Sequence, residues 1–557
     1  MDAEFIKKIL MQHISEPIEV VLEVPEPQFG DVAFPCFALA KYRKKSPQLI
    51  AHDLAAKLCA ELPKEIQSAK AEGPYVNFTF NKKDIAASVL GAINCQKEQY
   101  GSKQQKKKIM VEFSSPNTNK PLHLGHVRNN ALGDSISRIL AFLGNDVIKA
   151  CLVNDRGIHI CKSMLAYKKW GHNKNPDKKS DFFVGDFYVL FAKKAEEHPE
   201  LEQEAQEMLR QWEAGDKETV ALWKKMNQWV YDGFEQTYAK LGMTFHKYYY
   251  ESDIYTFGKD IVLNGLKKGI FTEKEGAVVA QLEPALPNKV LIRSDGTTIY
   301  MTQDIYLAQK KFHDYPLDSS IYVVGSEQNL HFQQLFAILK KLGYAWADHC
   351  YHLSYGMVNL PEGRMKSREG TVVDADAIIE EMTTLAKEEI NKRHPELRAI
   401  ELQNRSRQVG LAALKFHMLK IDAVKDMTYN PKESISFEGE TGPYVQYTHA
   451  RICSILKKTE LPEELLLKGL GEKENELIKV LEKFPAVIED AAKHYKPSMI
   501  TRYLLDLCQQ FNSYYHDVPV LKAEEDVKNA RLYLLNCIKI VLENGLNVLG
   551  IESPDEM

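Results

Sequence analysis

The stretch KIMVEFSSPNTNKPLHLGHVRNN, residues 108–130, changes character twice. Its first part, 108–115, is apolar and β-favouring and predicts a strand. PNTNKPL, 116–122, is a polar turn. From Val127 the apolar residues Leu132, Ile136, Ile139, Leu140 and Leu143 recur at helical spacing, with Gly144 as a helix stop. His123-Leu124-Gly125-His126 therefore stands at the mouth of a strand–turn–helix unit, where a helix N-terminus offers free N–H groups to anions. Gly125 has no side chain to hold a nucleotide away from the backbone. The imidazoles of His123 and His126 can donate hydrogen bonds to phosphate oxygens as charge moves during phosphoryl displacement. Four such residues recur by chance; their placement gives them weight.

Working outward, strands alternate with helices from 108 to 375. Strands at 108–115, 147–153, 319–325 and 349–358, with helices at 127–143 and 332–342, predict βαβ units and a Rossmann-type parallel sheet. The charged helical span at about 160–290 reads as an insertion. Residues 1–100 predict an α+β unit: a helix, the turn-rich PEPQFGDVAFP, a helix over 46–62 and the strand YVNFTF. The basic linker GSKQQKKK follows. Beyond 376 the pattern is helical throughout, with a connector at 376–435 and an all-α bundle at 436–557.

Bulk properties narrow the class. The chain has 557 residues, 44% hydrophobic and 27% charged, the balance of a soluble globular protein. No apolar run approaches the ~20 residues that cross a bilayer, and MDAEFIKKILMQHI reads as an amphipathic helix rather than a signal peptide. Nine cysteines without a CxxC pair argue for a reducing cytoplasm and against a disulfide framework or a Cys-rich zinc site. With 72 basic and 76 acidic residues, a net charge of −4, any RNA contact must rest on local basic surface.

Three further features carry chemistry. GRMKSREG, 363–370, sets cations and a hydroxyl between glycines and can close over a triphosphate, neutralising the leaving pyrophosphate; taken alone, a solvated turn explains it better. In TTIYMTQDIYLAQKK, 297–311, helical spacing puts Tyr300 and Asp304 on one face, a phenol beside a carboxylate that suits a planar cation. A core tyrosine and a first-turn aspartate is the plainer alternative. Glu112 lies in the predicted strand, where a carboxylate is costly to bury unless paired. It is either solvent-facing or at the edge of the ligand crevice of an open sheet.

VEFSSPNTNKPLHLGHVRNN resembles the HIGH-motif region of class I aminoacyl-tRNA synthetases, in the SSPN…K…H.GH.R form of arginyl-tRNA synthetases. The resemblance runs over essentially the whole chain. FGDVAF (29–34) resembles that family's N-terminal tRNA-elbow domain. VNDRG (153–157) resembles its GDWG motif, and TTIYMTQDI (297–305) and YVVGSEQNLHFQQLF (322–336) its arginine-pocket segments. GRMKSREGTVV (363–373) occupies the KMSKS position, and GETGPYVQYTHARICSIL (439–456) opens its helical anticodon-binding domain.

The resemblance implies ligation of L-arginine to tRNA(Arg) with ATP as substrate, Mg2+ accompanying the nucleotide and no protein-bound structural metal. It implies that His123, Gly125 and His126 bind ATP and stabilise the transition state, joined by Met365, Lys366, Ser367 and Arg368 of the second loop. Ser367 stands where that motif carries a lysine, and Lys120 is expected to substitute. Asn117 and Gln328 are implied at the α-amino and carboxylate end of arginine; Glu112, Tyr300, Asp304 and, more loosely, Glu251 are implied at its guanidinium. Arg156 replaces the usual tryptophan of GDWG, which questions any stacking there. Tyr444, Tyr447 and Arg451 are implied in tRNA reading, with bundle packing an equal alternative for either tyrosine. The insertion looks too short and too helical for a hydrolytic editing domain. A monomer without membrane contact is the default expectation. A synthetase for another amino acid and a catalytically silent RNA-binding paralogue are the rivals; intact HLGH, Asn117 and Asp304 weigh against the second.

Overall fold

The computed structural model describes residues 3–26, 28–359, 361, 373–462 and 467–557. They divide into two compact units, one of Met1–Tyr100, Ile452–Pro485 and Asp506–Val541, the other of Gly101–Arg451, Ala486–Leu505 and Leu542–Met557. In the first, the strand Tyr75–Phe80 lies between Val32–Pro35 and Ile66–Glu72, antiparallel to both. The helix Pro47–Cys59 packs on this sheet. Ser46 caps it by accepting from the Leu49 N–H, Pro47 opens its first turn, and Ile50, Leu54 and Leu58 form its buried stripe.

The second unit is built on a parallel sheet. Among its described residues, five strands, β1 (Lys108–Glu112), β2 (Asp146–Val153), β3 (Lys247–Tyr250), β4 (Ser319–Gly325) and β5 (Cys350–Tyr355), pair in the order β5-β4-β1-β2-β3. All neighbours run parallel. β1 is central and buried from Ile109 to Glu112, which is why it reads as a continuous apolar run rather than an alternation. The chain winds one way through β1, β2 and β3 and the other way through β4 and β5. The switch point, where open α/β sheets bind ligands, therefore falls between β1 and β4.

Three expectations need correction. β1 ends at Glu112, not at 115, because Ser114 and Ser115 take left-handed backbone with φ of 76° and 46°. Such residues cost of order 1 kcal/mol each and persist where their surroundings fix them. Here the Ser114 N–H donates to Asn129 Oδ1 at 2.5 Å, and the Ser114 and Tyr238 hydroxyls are 2.7 Å apart. The span 160–290 is not one helical insertion. Helices fill it from Ile158–Trp170 through Lys217–Lys240, but KYYY then returns to the main sheet as β3. A small antiparallel sheet of Thr272–Lys274, Ala277–Ala280 and Lys289–Ile292 follows. β3 escaped notice because it is short and sits behind long charged helices. The helical C-terminal pattern also has an exception: Met427–Thr428 pairs in parallel with Val358–Asn359.

Helix α1 (Leu124–Phe142) follows the turn after β1. A Cβ at Gly133 would stand 2.2 Å from the Phe113 ring, so the glycine permits the helix to lie against the chain leaving β1. Arg128 of α1 is fully buried. Its Nη1 donates to the Gly356 and Met357 carbonyls (2.7 and 3.2 Å) and its Nη2 to those of Ala423 and Lys425 (3.1 and 2.8 Å). Removing the guanidinium leaves four carbonyls without that donor, each costing about 1–3 kcal/mol if it stays dry. Arg128→Met is expected to lower stability by more than about 3 kcal/mol in urea unfolding, with Arg128→Lys recovering only part. An unchanged midpoint would show that the carbonyls find other partners.

Candidate functional site

At the switch point lies a cavity of about 550 Å³, walled by Ser114, Ser115, Lys120, His123, Gly125, His126, the end of β4 and residues 357–359. His123 is the N-cap of α1. The Gly125 N–H donates to His123 Nδ1, and the His123 N–H donates to His126 Nδ1, each at 3.1 Å. Burial holds both rings neutral, with Lys120 contributing: His123 is pushed down to about 4, and His126 well below its ordinary value. A neutral ring accepting at Nδ1 carries its proton on Nε2. Each histidine thus keeps one donor beyond its bond to the backbone. Burial likewise lowers Lys120.

Residues 365–368, with Met365, Lys366, Ser367 and Arg368, lie outside the described residues. Their described flanks both reach this cavity. Asn359 lines it. On the far side the Leu124 N–H donates to the Val373 carbonyl at 3.0 Å, and Asp374 bridges to His123.

Gln328 is shared with a second cavity of about 260 Å³, lined also by Asn154, Glu251, Tyr300, Gln303, Asp304 and His331. Asn154, Glu251, Gln328 and His331 come from segments that follow the carboxyl ends of β2, β3 and β4, and a single helix supplies the rest. Asn154 follows β2, and Glu251 follows β3 and opens the short helix α2 (Glu251–Ile254). Tyr300, Gln303 and Asp304 lie on α3 (Tyr300–Asp314), and His331 on α4 (Asn329–Lys341). Tyr300 is 75% exposed, so it borders the mouth rather than the core. Asp304 meets His331 Nε2 at 2.6 Å. Burial pushes Glu251 up to about 7, opposed by Arg156 and reinforced by Asp155 and Asp304. Two carboxylates, a phenol and three amides in one recess suit a planar, multiply donating cation.

The structure thus brings together Lys120, His123, Gly125 and His126 in one cavity, and Tyr300, Asp304, Gln328 and Glu251 in the next. Glu112 is corrected: it lines neither cavity and is not solvent-facing. It is buried and paired with Lys311 of α3 at 2.5 Å; Lys311 is fully buried and lies 4.0 Å over the Tyr322 ring. Asn117 is exposed, bridges to Asn154 and is not among the lining residues. Sequence reasoning passed over Asn154, Gln303 and His331, although all three sit inside VNDRG, TTIYMTQDI and YVVGSEQNLHFQQLF. Residue type alone does not say which way a side chain faces. Arg156 does stack: its guanidinium lies 4.0 Å from the Tyr255 ring centroid.

Tyr444, Tyr447 and Arg451 share one face of the helix Gly442–Leu456, and Arg451 lies 4.8 Å over the Tyr447 ring. Tyr447 is exposed and Tyr444 half-buried, so bundle packing alone does not account for Tyr447.

Comparison with known proteins matches the geometry. Residues 89–430 match the family model for tRNA synthetases class I (R), catalytic domain. Residues 445–557 match the DALR anticodon binding domain and 3–80 the arginyl tRNA synthetase N terminal domain. The chain is 49% identical to the arginine–tRNA ligase of Treponema denticola over 97% of its own length and 95% of the relative's. To that of Bacteroides thetaiotaomicron it is 45% identical, over 99% and 98%. The structure of the Thermus thermophilus arginyl-tRNA synthetase superposes with a TM-score of 0.86 at 28% identity, covering both chains in full.

The Glu112–Lys311 pair gives a direct test of the correction. Removing one partner of a buried pair typically costs about 3–5 kcal/mol, whereas apolar replacement of both is often near neutral. Lys311→Met is expected to destabilise by that amount and Glu112→Leu in the same chain to restore most of it. Wild-type stability in Lys311→Met would remove the structural role.

Proposed function

This chain belongs to the arginyl-tRNA synthetases of class I, and from that premise we propose how its residues divide the work. The reaction is ligation of L-arginine to tRNA(Arg) through arginyl-adenylate, with ATP consumed to AMP and diphosphate. The arginine carboxylate attacks the α-phosphate of ATP in line and diphosphate leaves. The terminal ribose hydroxyl of the tRNA then attacks the acyl carbon and AMP leaves. No side-chain nucleophile takes part; catalysis is positioning plus charge stabilisation.

One observation supports this division most directly: the two cavities meet at Gln328. The first holds the nucleotide, with the His123 and His126 Nε2–H groups and Lys120 facing phosphate oxygens and Gly125 leaving room for them. Lys366 and Arg368 neutralise the departing diphosphate, with Met365 and Ser367 also on the nucleotide. The second holds arginine: Asp304 and Glu251 take the guanidinium, Tyr300 closes over it, and Gln328 orients the α-carbon end. A guanidinium presents a planar fork that an ammonium lacks, so lysine leaves a desolvated carboxylate unpaired and is rejected. Mg2+ enters with the ATP phosphates, since among the described residues the lining of the nucleotide cavity contributes one carboxylate, Glu327, rather than a cage.

The tRNA is taken by three parts. Residues 1–100 meet its elbow, 101–375 its acceptor end, and 436–557 its anticodon loop through Tyr444, Tyr447 and Arg451, with 376–435 as connector. Unpaired bases are read by stacking and edge hydrogen bonds. Activation of arginine requires bound tRNA, and the enzyme works as a monomer in the cytoplasm.

Arginine-dependent ATP–pyrophosphate exchange, with and without tRNA and against a panel of amino acids, tests the reading. Exchange is expected with arginine alone and only when tRNA is present. Exchange with another amino acid overturns the pocket assignment, and RNA binding without exchange favours a silent paralogue. Asp304→Ala is expected to raise the arginine KM by roughly thirtyfold or more, the loss of a charged hydrogen bond, with the ATP KM unchanged. Equal losses for both substrates would make Asp304 structural.

A further inference from the structure

Arg156 sits where the family's motif carries tryptophan, and the structure gives it an unusual set of neighbours. Its Nη2 meets the half-exposed Glu213 at 2.6 Å, while its Nη1 lies 3.8 Å from Glu251. The guanidinium rests on the Tyr255 ring, with Trp212 a further neighbour at 5.5 Å. A planar cation held on an aromatic face and by a carboxylate has little freedom to move. The 3.8 Å separation is beyond hydrogen-bond range but well within Coulombic reach. Arg156 therefore favours a negative charge on Glu251 without occupying its lone pairs.

The other charged groups around Glu251 act in the opposite sense. Asp155, on the same loop as Arg156, accepts from the Ser252 N–H (2.9 Å), the Ser252 hydroxyl (2.7 Å) and the Tyr231 hydroxyl (3.0 Å), which fixes the start of α2. From α3, Asp304 faces the same recess, tied to His331 of α4. Both carboxylates disfavour ionisation of Glu251, as does its burial.

We propose that Arg156 is a positioning and specificity-determining residue for arginine recognition, an internal guanidinium that favours the charged form of Glu251 and leaves its lone pairs open to the guanidinium of the substrate. This rests on the assignment of the second cavity to arginine. With Glu251 pushed up to about 7, protonated and charged forms coexist in the empty pocket near neutral pH, and the incoming cation displaces the proton. Without Arg156 that balance moves to higher pH, so arginine binding weakens at neutral pH and recovers in alkali.

The arginine KM is measured by tRNA-dependent exchange at about pH 7 and about pH 9 for wild type, Arg156→Gln and Arg156→Lys; a shift of one pKa unit is about tenfold. Arg156→Gln is expected to raise the arginine KM about fivefold at the lower pH and to converge to within about twofold at the higher. The ATP KM should hold at both, and Arg156→Lys should follow the wild-type profile because it keeps the charge. An equal rise at both pH values, or none, overturns the proposal. Wild type without arginine-dependent exchange overturns the functional reading instead. Should Arg156→Gln not fold, calorimetry of arginine binding to wild type in two buffers of different ionisation enthalpy decides. Release of a fraction of a proton near pH 7 that falls away toward pH 9 supports the proposal, and no release overturns it.

Discussion

The wall of the cavity at the switch point depends on the guanidinium of Arg128. It reaches, from inside α1, the carbonyls of Gly356 and Met357 after β5 and those of Ala423 and Lys425. A fully buried cation survives because its flat fork is matched to carbonyls on two separate segments. One side chain thereby fixes the distance between the helix whose N-terminus carries the two histidines and the strand end that walls the same crevice. Asn129 extends the lock, accepting from the Ser114 N–H and donating to the Val323 carbonyl and the Tyr355 hydroxyl. Adjacent residues on one helical turn thus join α1 to β1, β4 and β5.

Carboxylates in this unit meet different fates, and the partner decides which. Glu112 faces a fully buried lysine at contact distance and belongs to the scaffold beneath the crevice. Asp155 is saturated by hydroxyl and backbone donors and shapes a turn. Among the described residues Glu251 has a cation only at 3.8 Å, and Asp304 a single imidazole, so both retain unused acceptor capacity. Residue type therefore says little about which acid receives a ligand. Unsatisfied acceptors facing a cavity say more.

The sequence already contained most of the catalytic unit. The apolar run of β1, the turn and the helical spacing after Val127 put His123 and His126 at a helix N-terminus, and that is where they lie. The i, i+4 spacing of Tyr300 and Asp304 likewise sets both on one wall. Glu112 was misread because its partner, Lys311, lies far along the chain on α3, and no local pattern announces a tertiary ion pair. β3 was hidden for the opposite reason: KYYY is β-favouring, but it follows long helices that set the apparent character of its neighbourhood. The left-handed serines gave no signal, since a strained turn is dictated by the groups that hold it. His331 and Gln303 were in view, but the way they face follows from how α3 and α4 pack.

The bonding of the two histidine rings has a consequence for what kind of site this is. Because each Nδ1 is committed to a backbone N–H, neither ring can pass a proton from one nitrogen to the other without breaking the start of α1. The pair forms a mould, not a relay. A reaction carried out against it must bring its own ionised attacker and must let its leaving group depart without a proton from these rings. An anhydride formed from a carboxylate and a phosphate meets both conditions.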